Sequence, residues 1–118
     1  PWAGVVPEAG LRWWYSAPDV LTLCSSREGW ADVLLEAMAC GTPVIATDIW
    51  GTSEVVSSEA AGRLMERRDA RALADAWQDL MSAMPARAAT RQYAEGFSWN
   101  ATTQGQLQLF ESVVHAAP

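Results

Sequence analysis

The run from Asp19 to Thr47 constrains this chain more than any other part of it. It opens with Asp19-Val20-Leu21-Thr22-Leu23-Cys24, a compact apolar stretch without polar alternation, which suits a strand covered on both faces. A polar loop containing Gly29 follows, from Ser25 to Ala31. From Asp32 to Cys40 the residues D-V-L-L-E-A-M-A-C are strong helix formers. Asp32 reads as the N-cap, Gly41 stands just past the end, and Pro43 forbids continuation. Val44-Ile45-Ala46-Thr47 is then a second buried strand. Strand, helix, strand implies a parallel pair joined by a right-handed crossover and covered by helices, so the fold class is α/β.

The flanking segments fit that class. Ala9 to Ser16 reads as a short helix stopped before Pro18, and Gly62 to Met65 as a short edge strand. Trp50 to Glu59 is irregular, with a helical turn expected at Ser53 to Ser57. From Asp69, the expected N-cap, to Met84, the residues Leu73, Trp77, Leu80, Met81 and Met84 fall on one helical stripe. Helices at Ala86 to Glu95 and Ser98 to His115 close the chain, the last with Trp99, Thr103, Leu107, Phe110 and Val114 on one face. Both stripes are expected to pack in the core.

Composition excludes several classes. A length of 118 residues holds about one domain. Eight Arg against fourteen acidic residues, a net charge of -6, disfavours binding to a nucleic-acid backbone. No apolar run approaches the ~20 residues of a membrane span. Cys24 and Cys40 have neither C-x-x-C spacing nor histidines at metal-ligand spacing, and read as two buried free thiols. The one histidine, His115, and the lack of G-x-S-x-G leave no serine hydrolase; P-loop and G-x-G-x-x-G patterns are absent too.

In a parallel α/β sheet, ligands bind outside the carboxyl ends of the strands, where loops enter helix N-termini. Ser25 to Glu36 occupies that place. The amide groups and dipole of a helix N-terminus suit a phosphate, and Gly29 permits close backbone approach. Many α/β loops carry one such glycine without binding anything. Glu28 lies in the loop and Glu36 one turn into the helix, so both carboxylates can flank one ligand and accept hydrogen bonds from sugar hydroxyls. Spacing alone favours the plainer reading, in which Glu36 is a solvated helix residue and Glu28 a loop charge.

The run S-S-R-E-G-W-A-D-V-L-L-E-A-M-A-C-G-T-P-V-I-A-T, followed by W-G-T-S-E at Trp50 to Glu54, resembles the retaining glycosyltransferases of family 4, which have the GT-B architecture. It carries their E-x7-E motif, their E-A-M-A-C-G-x-P-V-I-A segment, and a Gly and Glu where G-G-x-x-E is usual. Gly4-Val5-Val6, Tyr15-Ser16-Ala17-Pro18-Asp19-Val20 and Phe97-Ser98-Trp99 resemble further family segments more weakly.

The resemblance implies a partial Rossmann-like parallel sheet with flanking helices, residues 1–118 being a piece of the C-terminal, nucleotide-sugar-binding domain. It implies that Glu28 sits at the donor sugar and is tied to the reaction centre. It implies further that Glu36 binds the nucleotide's ribose, and that the backbone of Gly29, Trp30, Ala31, Asp32 and Val33 faces the diphosphate. The reaction would transfer a glycosyl group from a nucleoside diphosphate sugar to a carbohydrate or lipid-linked acceptor hydroxyl with retention, without metal or other cofactor.

Three residues depart from the pattern. Ala31 stands where Gly is common, Asp32 would compete for helix amides if it capped them, and Trp50, expected to pack, replaces the first Gly of the pair. The chain opens at Pro1 and reads as a piece of a longer protein that holds the basic phosphate clamp and the acceptor domain. By itself it is expected to be inactive and to form dimers through uncovered apolar surface. The longer protein is expected in the cytoplasm, including at the inner face of the membrane. A non-catalytic sugar-nucleotide-binding or interaction module of the same architecture is the alternative reading, with another GT-B enzyme such as a sugar-nucleotide epimerase behind it.

Overall fold

The computed structural model describes residues 2–116. Its elements are α1 (Glu8–Ser16), β1 (Leu21–Leu23), α2 (Asp32–Ala39), β2 (Val44–Thr47), β3 (Gly62–Met65), α3 (Ala70–Ser82), α4 (Arg87–Glu95) and α5 (Trp99–Ala116). The three strands form one parallel sheet in the order β1-β2-β3, with Leu21 opposite Val44 and Val44 opposite Gly62. β2 is central and every one of its residues is buried, as the unalternating V-I-A-T run requires. β1 is shorter than the apolar run that announces it, and β3 is the expected edge strand.

Helices cover both faces. On one side Leu34, Ala37 and Met38 of α2 meet Val44 and Ala46 of β2, with Val55, Val56, Ala61 and Ala94 completing that core. On the other, Leu80 and Ala76 of α3 close over Ile45 and Met65. The alternation of Val44, Ile45 and Ala46 between two cores is the period of two of a strand with apolar layers above and below.

The amino ends of the strands are tied by polar contacts. Arg87 at the start of α4 donates to the carbonyl of Ser16 (2.7 Å), the carbonyl of Pro18 (3.1 Å) and Thr42 Oγ1 (2.9 Å), joining α1, α2 and α4. Thr42 in turn donates to the carbonyl of Tyr15 at 2.6 Å. Gly41 ends α2 at φ +81°, the left-handed position expected of a residue just past a helix C-terminus. Asp69 caps α3 as expected, accepting from the Ala72 amide at 2.8 Å. That bond and the Arg67 guanidinium hold its carboxyl below the usual carboxylate range.

Several expectations need correction. The N-cap of α2 is Ala31, not Asp32. Ala31 is buried, so the core fixes the chain one residue earlier than side-chain chemistry suggests, and no side chain caps this helix among the described residues. The segment after β2 forms hydrogen-bonded turns from Ile49 to Val56, and the expected helical turn lies one residue earlier, closed by the Val56 amide on the Thr52 carbonyl at 2.8 Å. Cys24 is exposed and Cys40 half-buried, both as free thiols. Of the α3 stripe, Leu80 is buried and Leu73 half-buried, while Trp77, Met81 and Met84 are exposed. Every side chain of α5 from Trp99 to His115 is exposed, its apolar stripe included, because no described element lies against that helix to cover it.

Candidate functional site

The loop from Cys24 to Ala31 leaves the carboxyl end of β1 and turns directly into α2. Two anchors set its path. At its end Ala31 drops into the α2 core, and before it the Trp30 and Phe97 rings meet in a T-shaped arrangement with centroids 6.2 Å apart. Phe97 in turn packs edge-on against Tyr93 at 5.4 Å, and the Tyr93 hydroxyl donates to the Val55 carbonyl at 2.9 Å. The loop is thereby referred to α4 and to the segment after β2, neither of which its own sequence reveals.

The turn after β2 supplies a third brace. Gly51 has φ +90°, and a Cβ built on it would fall 2.3 Å from the Gly29 carbonyl oxygen and 3.1 Å from that of Glu28. Only a residue without a side chain can hold that conformation and that approach together. Thr52, fully buried, fixes the turn by donating to the Thr47 carbonyl at 2.5 Å while accepting from the Ile49 amide at 3.1 Å. The glycine of the W-G-T-S-E segment is therefore a wedge under the backbone of Glu28 and Gly29.

The sequence-predicted residues are placed as follows. Glu28 is half-buried, Gly29 is exposed, and a side chain added at Gly29 would meet open space. Trp30 is partly covered by Phe97. Asp32 is exposed in the first turn of α2, where a negative charge is favourable to the helix dipole. Its side chain makes no cap bond, so the expected competition for helix amides does not arise. Two first-turn amides are engaged locally, Asp32 N–H with the Trp30 carbonyl at 3.2 Å and Leu34 N–H with that of Ala31 at 3.0 Å. Val33 is half-buried.

Glu36 is exposed on α2, and its Oε2 accepts a hydrogen bond from the Tyr15 hydroxyl at 2.7 Å. Burial first, and the Glu36 carboxylate second, push the Tyr15 phenol up to about 12. Trp50, expected to pack, is instead 79% exposed beside the Gly51 wedge, because the tight turn under it turns its side chain away from the core.

Sequence reasoning singled out the loop and both glutamates and missed their supports. Tyr15 and Phe97 fall in family-like segments to which the sequence attaches no role, and nothing in the sequence singles out Thr52. Packing of α1 and α4 on α2 brings Tyr15 and Phe97 there, and Thr52 acts from within the turn after β2. Thr47 Oγ1, at the carboxyl end of β2, is buried with no hydrogen-bond partner among the described residues. An apolar groove of about 430 Å³ lies between Thr22 of β1 and Leu73 and Trp77 of α3, and none of the predicted site residues lines it. Among the described residues no cluster of His, Cys, Asp and Glu is arranged to hold a metal, and no helix is long and apolar enough to cross a membrane.

Comparison with known proteins agrees with this architecture. The family model described as glycosyl transferases group 1 matches residues 2–97. A D-inositol 3-phosphate glycosyltransferase of Paenarthrobacter aurescens is 36% identical over 93% of this chain, and one of Corynebacterium urealyticum is 37% identical over 84%. The chain spans only 28% and 24% of their respective lengths. Sucrose-phosphate synthase of Thermosynechococcus elongatus superposes with a TM-score of 0.79 at 33% identity, covering 99% of this chain and 31% of its own. A glycosyltransferase of Rickettsia africae, at 23% identity and TM-score 0.68, shares the fold. With the model spanning most of the chain and a parallel sheet of GT-B type beneath it, the chain belongs to the glycosyl transferases group 1 family.

Proposed function

We propose that this chain is the nucleotide-sugar-binding part of a longer glycosyltransferase that moves a glycosyl group from a nucleoside diphosphate sugar to an acceptor hydroxyl with retained configuration. Family membership supports sugar transfer. The observation that carries the finer reading is the Glu28–Gly29 backbone, wedged from below by Gly51 at the carboxyl end of a parallel strand and open above at Gly29, leading straight into a helix that carries Glu36. A ligand reaching that rim meets a carboxylate, a bare stretch of backbone and a helix N-terminus within one continuous segment.

In this reading Glu28 accepts hydrogen bonds from the donor sugar next to the breaking bond, and Glu36 accepts from the ribose hydroxyls. The backbone from Gly29 to Val33 faces the diphosphate, whose charge the α2 dipole favours. Leaving-group charge is stabilised by helix dipoles and by basic residues supplied by the longer protein, without a metal ion. Transition-state stabilisation needs all of those groups at once, so the 118-residue chain alone transfers no sugar. The open edge of β1 and the bare α5 stripe make the isolated chain self-associate, which sedimentation at rising concentration would reveal.

The longer protein should be assayed with UDP, GDP and ADP sugars, with and without EDTA. Glu28→Gln is expected to lower transfer by about 100-fold or more, the scale of a group acting at the reacting centre. EDTA is expected to change nothing. A Glu28→Gln enzyme with undiminished transfer contradicts the assignment.

A further inference from the structure

We propose that Tyr15 is a positioning residue for nucleotide binding: its hydroxyl holds the Glu36 carboxylate in the orientation in which that carboxylate accepts the two hydroxyls of a ribose. The inference rests on the reading of Glu36 as the ribose acceptor and goes beyond it by naming the residue that prepares it.

Four observations carry it. First, the Tyr15 hydroxyl donates to Glu36 Oε2 at 2.7 Å, and among the described residues it is the hydrogen-bond partner of that carboxylate. Second, the carboxylate is otherwise exposed on α2, so without Tyr15 it would sample its rotamers freely and a ligand would have to order it. Third, Tyr15 is itself fixed. Its ring is half-buried against the α2 core, and its carbonyl accepts from Thr42, whose hydroxyl in turn accepts from Arg87.

Fourth, the stoichiometry of acceptors fits. An ionised carboxylate offers about four lone-pair sites. Tyr15 takes one on Oε2 and leaves Oε1 untouched, enough for two vicinal hydroxyls to bind one to each oxygen. Because burial and the adjacent carboxylate keep the phenol protonated to about pH 12, it remains a donor throughout the working range of an enzyme. α1 buries no residue completely, so its attachment near this carboxylate is made by a half-buried tyrosine whose polar end faces Glu36. A helix needed only for packing would be better served there by phenylalanine.

The test is calorimetric titration of the longer protein with UDP, GDP and ADP in turn, and then with the 2′-deoxy form of whichever binds most tightly. Tyr15→Phe keeps the ring and removes the hydroxyl. It is expected to weaken nucleotide binding about five-fold, the scale of one hydrogen bond. It is also expected to narrow the preference for the ribonucleotide over its 2′-deoxy form, and to raise the donor KM while leaving kcat nearly unchanged. In a Glu36→Gln background the same substitution should add almost nothing, since both act through one contact.

Wild-type affinity and wild-type ribose preference in Tyr15→Phe, with Glu36→Gln impaired, would overturn the positioning role and leave the ribose role of Glu36 standing. An equal loss from Tyr15→Phe in both backgrounds would mark a packing defect and likewise overturn it. Unchanged binding in Glu36→Gln would overturn the ribose role and this inference together.

Discussion

α2 and α5 carry comparable apolar stripes and meet opposite fates. In α2, Leu34, Ala37 and Met38 are sealed between the sheet and α4. In α5, Leu107, Phe110 and Val114 lie in water on a helix with no buried residue from Trp99 to His115. Periodicity identifies which face of a helix is apolar, but it is silent on whether a partner for that face lies within the same stretch of chain. α2 has its partner because the crossover places it on the two strands it connects. Nothing in the local sequence of α5 provides an equivalent constraint.

The contrast can be tested by substitution. Leu34→Ala should cost about 3 kcal/mol in urea unfolding, the usual loss for emptying a sealed leucine site. A value near zero would mean that α2 is not the centre of the core. Gly51→Ala comes next. A side chain at φ +90° costs about 1–3 kcal/mol from backbone strain alone, and the clash with the Gly29 carbonyl must displace the Glu28 loop as well. Stability and nucleotide binding should therefore fall together. A fall in stability with binding intact would separate the wedge from the site.

Smaller still is the pH effect of Tyr15. The folded state raises its pKa from 10.0 to about 12, so the protonated phenol is favoured in the folded chain. Its contribution is present in full below about pH 10 and is lost as pH rises through about 12. Tyr15→Phe should lack that alkaline component in a pH series of unfolding midpoints, whereas an identical pH dependence in both proteins would contradict the burial and contact assigned to the phenol. Least of all, Phe110→Ser on α5 should change stability by no more than about 0.5 kcal/mol in the isolated chain at concentrations too low for self-association. A loss approaching that of Leu34→Ala would show that the α5 face is covered after all.

What could be read from the sequence follows the same division. β2 has the bounds expected of Val44–Thr47 because Pro43 precedes it and its three consecutive apolar residues, Val44, Ile45 and Ala46, demand cover on both sides. The end of α2 was legible in Gly41, and the start of α3 in Asp69, since each uses chemistry local to a few residues. The start of α2 was not, because burial of Ala31 overrides the capping preference of Asp32.

For the candidate site, E-x7-E and the W-G-T-S-E segment mark two loops that meet where Gly51 lies against Gly29, yet their supports come from across the chain. Tyr15 reaches Glu36 over 21 positions, and Trp30 meets Phe97 only after α4 has folded back. Trp50 was expected inside and stands outside, because a wedge at Gly51 orients its neighbour in a way that no hydropathy pattern encodes.

The central claim is that Glu28 and Glu36 serve the two ends of one nucleotide sugar. A crystal structure of the longer protein with an intact or non-hydrolysable donor measures this directly. The account predicts the transferred sugar within hydrogen-bond distance of the Glu28 carboxylate, the diphosphate along Gly29 to Val33, and the ribose hydroxyls on Glu36 with the Tyr15 bond retained. A donor lodged elsewhere, or one that touches either glutamate without the other, would contradict it.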